Sequence, residues 1–193
     1  MAKKESSFVN MVLTLFLVAA IAALALGGVY TVTKEPIAIA KQKKLEAAIK
    51  SVLPDFDRIE ETKHVDPEGK DSLTLYYAYH GDKGVGAAVK TYTNKGFSGN
   101  VELMVGFLDD GTIFNTAVLS HKETPGLGDK MDIKKSDFSI QFKGKNPDDF
   151  KLKVKKDGGD VDAITAATIS SRAFCDAVNR AYITFEKDKG GAQ

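Results

Sequence analysis

The stretch Asp162-Ala163-Ile164-Thr165-Ala166-Ala167-Thr168-Ile169-Ser170-Ser171 decides how the C-terminal part of this chain folds. It places four hydroxyl side chains and one carboxylate at the start of an amphipathic pattern. The apolar members of that pattern are Ala166, Ile169, Ala173, Phe174, Ala177, Val178, Ala181, Tyr182 and Phe185. Their three- and four-residue spacing predicts a helix with one buried face. The helix therefore begins within a cluster of polar side chains.

This polar cluster has two interpretations. Ser, Thr and Asp are preferred N-cap residues, so the cluster can serve as a helix cap alone. A helix start also offers unpaired N–H groups and the positive end of the helix dipole, which together suit a phosphate. If the helix is regular from Ala166, a turn of ~100° per residue places Thr168 opposite the apolar stripe. A modifying enzyme could reach a hydroxyl in that position.

The N-terminal region has the composition of a membrane span. No charged residue occurs from Phe8 to Val32, and a helix of that length crosses the ~30 Å hydrocarbon layer of a bilayer. We therefore predict a transmembrane anchor over residues 8–32 after a cytoplasmic N-terminus of residues 1–7. The alternative is a signal peptide cut after Ala25, because Ala23-Leu24-Ala25 resembles a cleavage site. The length of the apolar run favours the anchor.

The charges that flank this span give no clear orientation, because lysines lie on both sides of it. Long domains that follow a first span are translocated largely regardless of their charge. We therefore expect the C-terminal domain to lie on the outer side of the membrane.

A juxtamembrane segment, residues 33–53, should follow the span. Lys34–Val52 has apolar residues on one helical face, Pro36 suits a first helical turn, and Pro54 ends the pattern. We assign residues 54–187 to one folded domain and residues 188–193 to a disordered tail.

Alternating and aromatic runs predict at least four strands in that domain. They are Leu73–His80, Val85–Tyr92, Val101–Leu108 and Ile113–Ser120, with Asp148–Lys155 as a candidate fifth. Turn signals separate the strands, for example Asp109-Asp110-Gly111. The expected fold class is α+β: an N-terminal transmembrane helix, then a mixed, mainly antiparallel sheet packed with helices.

Composition argues against several kinds of site. The formal net charge is +1, so charge does not suggest nucleic-acid binding. The single cysteine, Cys175, rules out a disulfide within the chain and a multi-cysteine iron–sulfur or zinc site. It lies beside the apolar helix stripe, so we expect a buried, unreactive thiol. His64, His80 and His121 are scattered without metal-ligand spacing, and we predict no metal site.

The loop Glu123-Thr124-Pro125-Gly126-Leu127-Gly128 follows the fourth predicted strand. Two glycines around Leu127 permit a tight backbone path, and Pro125 stiffens it. Such a loop can bring N–H groups and one apolar side chain against a flat ring. Pro-Gly turns are also common in loops without any ligand, so the pattern alone leaves both interpretations open.

Two motifs together resemble a known family. Asp162–Thr168 resembles the flavinylation motif of membrane electron-transport flavoproteins, with Ala166 where Gly is more usual. Glu123–Gly128 matches a signature of the G subunit of the Rnf electron-transport complex. Gly96-Phe97-Ser98-Gly99 and the single N-terminal span are also typical of that family. The C subunit of the sodium-pumping NADH:quinone reductase is a close relative of it.

The resemblance implies covalent FMN, joined through a phosphoester to Thr168. The residues expected around the flavin are Asp162, Thr165, Ala166, Ala167, Ser170, Ser171, Glu123, Thr124, Gly126, Leu127 and Gly128. Glu123 would contact the flavin or else hydrogen-bond loop amides. Lys122 and Lys130 would approach the phosphate or else remain solvated.

The resemblance also implies a setting for the protein. It would be an electron-transfer subunit without a complete active site of its own, in a complex that couples ferredoxin–NAD electron flow to ion movement. Its partners would be the other subunits, a flavin transferase and the lipid bilayer, with no nucleic acid. The location implied is the bacterial inner membrane, with the C-terminal domain on the outer, periplasmic side. The absence of a Gly-x-Gly-x-x-Gly fingerprint after a strand fits a relay flavin and no NAD site.

Three alternatives remain open on the sequence alone. One is the equivalent subunit of the sodium-pumping quinone reductase, which would have different partners and the same chemistry. Another is a membrane-tethered binding or scaffold module without a cofactor. The last is a soluble flavin domain, against which the apolar N-terminal run argues.

Overall fold

The structure is a computed structural model that describes residues 7–65 and 72–191. In these ranges, the helices are α1 (Phe8–Val52) and α2 (Thr168–Gly191). The strands are β1 (Arg58–Val65), β2 (Ser72–His80), β3 (Lys83–Gly96), β4 (Gly99–Phe107) and β5 (Ile113–His121). Short 3₁₀ segments occur at Gly128–Met131, Asp137–Phe142 and Lys155–Asp157. The chain divides into two compact units, Met1–Lys43 and Lys44–Gln193.

The first helix is one unbroken element of 45 residues with Pro36 inside it. The predicted helical segment Lys34–Val52 is confirmed, including its end at Val52, but it continues the apolar span without a break, so the prediction that Pro36 lies in a first turn was wrong. Proline at this position removes the hydrogen bond from its own nitrogen, but the turns on either side keep theirs, so the helix continues.

The N-terminal part of α1 is long and apolar enough to cross a membrane, and none of its most apolar stretch is buried within the chain. Its large side chains, from Phe8 to Val32, are exposed instead. A soluble helix would hide such a surface, so this exposure fits a membrane anchor. Residues 1–6, which include most of the predicted cytoplasmic N-terminus, lie outside the described ranges.

The sheet has five antiparallel strands in the order β1-β2-β3-β4-β5. Successive residues point to opposite faces, and both faces are covered. On one face Leu75, Val89 and Leu103 contribute to the core that includes α2. On the other face Tyr76 and Met104 pack with the last turns of α1. The predicted α+β class is confirmed, with an antiparallel sheet in the described residues.

The two ends of the sheet differ from the sequence prediction. Strand β1 was not predicted, because its sequence Arg-Ile-Glu-Glu-Thr-Lys-His-Val is mostly polar and charged. Charge is common on edge strands, where it discourages pairing with other chains. The predicted strand Asp148–Lys155 was wrong. Its later residues hydrogen-bond to the loop that follows, as in Val161 N–H to Lys153 O (3.0 Å), and they do not pair with any of the five strands of the sheet.

Helix α2 is fixed to β3 by polar contacts. The Thr91 hydroxyl donates to the Ala177 carbonyl (3.0 Å), and the Thr93 hydroxyl donates to the Asp176 carboxylate (2.7 Å). The Lys95 ammonium also pairs with Asp176 at 2.6 Å. Because these contacts lie near the first half of α2, they set where the start of the helix lies relative to the sheet.

The predicted limits of this last helix were only partly correct. It begins at Thr168, two residues later than predicted, and Ala166 and Ile169 are exposed outside the buried stripe. At its other end it continues to Gly191, into the predicted disordered tail. Phe185 stacks on Phe107, with ring centroids 5.1 Å apart, and the Tyr77 hydroxyl donates to Asp188. These contacts hold the last turns, whereas residues 192 and 193 are not described.

We predict that Gly106→Ala destabilises the domain. A Cβ at Gly106 would collide with the Val52 carbonyl at the end of α1 and lie 3.0 Å from the Val52 Cβ. Overpacking of this kind costs about 2–3 kcal/mol of unfolding free energy. Urea unfolding of the full chain in detergent, followed by circular dichroism, measures the loss.

The control for this prediction is Gly84→Ala in β3, where a Cβ meets nothing within 4 Å. It should change the unfolding free energy by less than about 0.5 kcal/mol. Equal effects of the two substitutions would contradict close packing of α1 on the sheet.

Candidate functional site

A cleft of about 300 Å³ lies where the turn after β3, the loop after β5 and the start of α2 meet. Its lining residues are Phe97, Glu123, Thr124, Leu127, Gly128, Ala166, Ala167, Thr168, Ile169 and Ser170. The fold thus brings together the two motifs that the sequence analysis singled out, although about forty positions separate them in the chain. The volume is at the lower end of the range for small-molecule sites, roughly 300–1,000 Å³.

A tight turn immediately precedes α2. The Ala167 N–H donates to the Ile164 carbonyl (3.0 Å), and Ala166 has a φ of 60°. Among the described residues Ala166 is the only non-glycine residue with positive φ. The left-handed conformation strains a residue with a Cβ, which explains why glycine suits this position better.

The four hydroxyls near this turn have different environments. Ser171 is buried; its hydroxyl accepts from the Ile164 N–H (2.9 Å) and donates to the Ala167 carbonyl (3.0 Å). The Ser170 hydroxyl is buried and donates to Glu123. Thr165 is exposed and is not among the residues that line the cleft. Thr168 and Ser170 both line the cleft, but Ser170 is bonded to Glu123, whereas Thr168 is half-buried and makes no side-chain hydrogen bond to any described residue.

The backbone around Thr168 offers donors. At the start of α2, the Ala167 N–H donates to the Ile164 carbonyl and the Ser171 N–H donates to the Ala167 carbonyl. The N–H groups of Thr168, Ile169 and Ser170, in the first turn of α2, have no backbone acceptor among the described residues. Free first-turn donors and the helix dipole together attract an anion. These free donors lie beside the Thr168 hydroxyl.

Glu123 has a structural role, which is one of its two predicted roles: it hydrogen-bonds to two other segments of the chain. Its side chain is buried; one oxygen accepts from the Ser98 N–H (2.8 Å) and the other accepts from the Ser170 hydroxyl. These bonds join the turn after β3 to the first turn of α2. Glu123 also lines the cleft, so it contributes to the environment of any ligand there.

Asp162 does not cap the helix, in contrast to its predicted capping role. It precedes Thr168 by six residues, is exposed, and pairs with the Lys155 ammonium at 2.8 Å. Its backbone N–H donates to the Gln141 side-chain oxygen (2.8 Å), and its carbonyl accepts from the Gln141 side-chain nitrogen (3.1 Å). Because the turn at Ala166 redirects the chain before the helix begins, the carboxylate lies too early to reach the first-turn donors. It remains accessible to an enzyme.

The loop after β5 contributes part of what was predicted. Thr124, Leu127 and Gly128 line the cleft, whereas Gly126 has a φ of 77° and allows the turn without lining it. Lys122 and Lys130 are also outside the lining set. Gly128 is required sterically, because a Cβ there would lie 2.8 Å from both the Cβ and a carboxylate oxygen of Glu123.

Phe97 was not predicted as a site residue. It lines the cleft and is 69 % exposed, and Leu127 and Ile169 beside the cleft are 40 % and 46 % exposed. The sequence did contain a signal for it, because Phe97 lies in a turn between two glycines and such a surface turn rarely buries an aromatic ring. Together these side chains form an exposed apolar rim that suits a flat ring.

A larger cleft of about 1010 Å³ shares Ile169 with this site. Its charges are largely paired: Arg172 contacts Asp157 at 2.6 and 2.7 Å and holds the pKa of that carboxyl below its usual range. None of the described residues that line it carries a hydroxyl. Cys175 also borders it, and its side chain is buried as predicted, which raises the pKa of the thiol to about 12. None of these lining residues could therefore carry a phosphoester.

Comparisons with known proteins agree with the geometry. Residues 96–183 match the FMN-binding domain family, and they include every residue that lines the smaller cleft. The G subunit of the ion-translocating oxidoreductase complex of Aliivibrio fischeri is 37% identical over 183 residues, 89% of this chain and 86% of that protein. The G subunit of the same complex in Escherichia coli K12 is 45% identical over 116 residues, 58% of this chain and 56% of that protein. The G subunit from Erwinia tasmaniensis is 45% identical over 115 residues, which are 58% of this chain and 55% of that protein.

We predict that Ala166→Gly stabilises the domain. It removes a left-handed penalty of about 1–2 kcal/mol, against an entropic cost of about 0.5–1 kcal/mol for glycine. The net gain in unfolding free energy should be about 0.5–1 kcal/mol. Chemical denaturation in detergent measures it.

Ala163→Gly provides the matched control, because Ala163 is exposed in the same segment and its φ is not positive. There glycine should destabilise by about 0.5–1 kcal/mol through the entropy of the unfolded chain. A loss of stability in both variants would show that Ala166 is not strained.

Proposed function

Because the chain belongs to the family of G subunits of ion-translocating oxidoreductase complexes, we propose that it is a membrane-anchored flavoprotein subunit that relays electrons through FMN. Its cofactor is attached covalently, by a phosphoester to Thr168. The complex as a whole passes electrons between ferredoxin and NAD and moves ions across the membrane. This chain supplies one relay flavin to it.

One observation carries the attachment site: Thr168 presents a free hydroxyl in a cleft beside the unpaired first-turn donors of α2. A phosphoester at that oxygen would place the phosphate where N–H groups and the helix dipole offset its charge. Ser170 and Ser171 are buried and bonded, so neither competes with Thr168 for the phosphate. The residues present therefore fit the phosphate end of FMN.

The rest of the cleft fits the ring end of the same cofactor. Phe97, Leu127 and Ile169 offer apolar surface, and Gly128 keeps the backbone of the loop close to it. Bound FMN supplies the electron transfer itself, while these side chains orient the ring and exclude water from part of it. A ring held in so small a cleft would remain partly uncovered, which would suit exchange of electrons with a neighbouring protein of the complex.

The proposal also includes a location for the site. The apolar part of α1 holds the chain in the lipid bilayer as a single span. The C-terminal domain lies on the outer, periplasmic face of the bacterial inner membrane. Free FMN is not needed there, because a flavin transferase attaches the cofactor permanently and the phosphoester retains it.

We predict that Thr168→Ala abolishes covalent flavin while the domain still folds. The position is half-buried and its hydroxyl makes no described side-chain hydrogen bond, so the loss of stability should be below about 1 kcal/mol. Intact mass and in-gel fluorescence after denaturation, on chains co-expressed with a flavin transferase, report attachment. Circular dichroism reports the fold.

Thr165→Ala is the matched control, since it removes a hydroxyl three residues away that does not line the cleft. It should keep the full flavin mass. If Thr168→Ala retained that mass, the attachment site would be elsewhere. A wild-type chain that acquired no flavin would favour a tethered scaffold without a cofactor.

We predict that Asp162→Ala lowers the flavin-loaded fraction several-fold, with little loss of stability. The carboxylate is exposed and its ion pair with Lys155 is worth at most about 1 kcal/mol, so its main role is recognition by the transferase. Intact mass at a fixed co-expression time measures the loaded fraction. Lys155→Ala breaks the same ion pair and should keep normal loading. Equal losses in both variants would assign the effect to the ion pair, and normal loading of Asp162→Ala would remove the recognition role.

A further inference from the structure

We infer that the buried carboxylate of Glu123 sets the redox potential of the flavin, as a fixed negative charge that makes the bound ring harder to reduce. This inference rests on the proposed function, because it requires a flavin in the cleft that Glu123 lines. It gives Glu123 an electrostatic role, distinct from direct binding of the cofactor.

The first support is the hydrogen bonding of the carboxylate. Both of its oxygens accept, one from the Ser98 N–H at 2.8 Å and one from the Ser170 hydroxyl. An ionised carboxylate is an acceptor only and can accept both of these bonds. Donors that point at the two oxygens stabilise the charge in place.

The second support is that the cleft is shaped around this side chain. Glu123 is only 4 % exposed, and two glycines make room for it. A Cβ at Gly96 would lie 2.8 Å from one carboxylate oxygen, and a Cβ at Gly128 would lie 2.8 Å from the other. The carboxylate therefore has one position, and its charge stays at a constant distance from a ligand in the cleft.

The third support is that the charge has no counterion. Among the described residues that line the cleft, Glu123 is the only one with an ionisable side chain. None of the ion pairs between described residues involves it. The neighbouring side chains Phe97, Leu127 and Ile169 are apolar, so no side chain that lines the cleft neutralises the charge.

Reduction adds an electron, supplied by a redox partner in the complex, to the ring. A fixed negative charge opposes this addition and lowers the midpoint potential. At an effective dielectric constant of about 20, one charge within about 12 Å changes the reduced-to-oxidised ratio by roughly tenfold or more. Glu123 and Thr168 line the same cleft, so a flavin ring held in that cleft would lie within that range.

The main test is Glu123→Gln in the flavin-loaded full chain, titrated with dithionite and redox mediators and followed by flavin absorbance. Glutamine is nearly isosteric, accepts from the Ser98 N–H and donates to the Ser170 hydroxyl, so it removes the charge and keeps both bonds. The midpoint potential should rise, so that at a fixed solution potential the ratio of reduced to oxidised flavin is roughly tenfold larger than in the wild-type chain. An unchanged potential in a fully loaded variant would overturn the inference.

Two further variants separate charge from packing. Glu186→Gln makes the same charge change about 24 Å along α2 from Ser170 and should leave the potential unchanged. Ser170→Ala removes one hydrogen bond and keeps the charge, so it should not raise the potential. If Ser170→Ala raised it as much as Glu123→Gln, the potential would follow the packing of the cleft and the inference would be wrong.

A rim variant keeps the test decisive if Glu123→Gln fails to fold. Thr124 lines the cleft and is exposed, so Thr124→Lys adds a positive charge at a tolerant position, with Thr124→Gln as the neutral control. The lysine variant should raise the potential relative to the glutamine variant; equal potentials would contradict electrostatic control. Intact mass is read on every sample. Absence of flavin from the wild-type chain would contradict the proposed function itself, whereas loaded variants with unshifted potentials would contradict only this inference.

Discussion

The site depends on a single buried carboxylate that joins segments far apart in the chain. Glu123 follows β5, accepts from Ser98 in the turn after β3, and accepts from Ser170 in the first turn of α2. A buried carboxylate without these donors would be costly, so the three segments are held together by the need to satisfy it. The opening between them is the cleft, and the free hydroxyl of Thr168 lies in its wall.

The sheet supplies the rigidity behind this arrangement. Thr91 and Thr93 on β3 bond to α2, and the opposite face of the sheet packs against the end of α1, where Gly106 admits the backbone at Val52. Sites built on regular elements hold their geometry better than sites on loops alone. The chain therefore combines an apolar anchor with a domain whose site residues are fixed by packing on the sheet.

The sequence predicted the parts of this structure that have strong local patterns. The apolar run, the four alternating strands and the amphipathic stripe of α2 were all visible in it, and the two motifs that form the cleft were found. Strand β1 was missed because an edge strand carries charge where a buried one would carry apolar residues. The segment Asp148–Lys155 was mistaken for a strand because Phe150, Leu152 and Val154 alternate, although its backbone bonds to a neighbouring loop.

Finer features of the site needed three-dimensional information. Asp162 resembles a cap, but the turn at Ala166 moves it away from the helix start. The roles of Ser170 and Ser171 depend on partners that no local pattern reveals, because Glu123 is 47 residues away from Ser170. Phe97 became a site residue only when the turn after β3 was placed beside α2.

The most direct test of this account is tandem mass spectrometry of the flavin-loaded chain after trypsin digestion. Cleavage after Lys156 and Arg172 releases the peptide Asp157–Arg172, which contains all four hydroxyls of the motif. The account predicts that the fragment ions place phosphoester-linked FMN on Thr168 alone. FMN on Thr165, Ser170 or Ser171, or an unmodified peptide from a chain that carries flavin elsewhere, would contradict it.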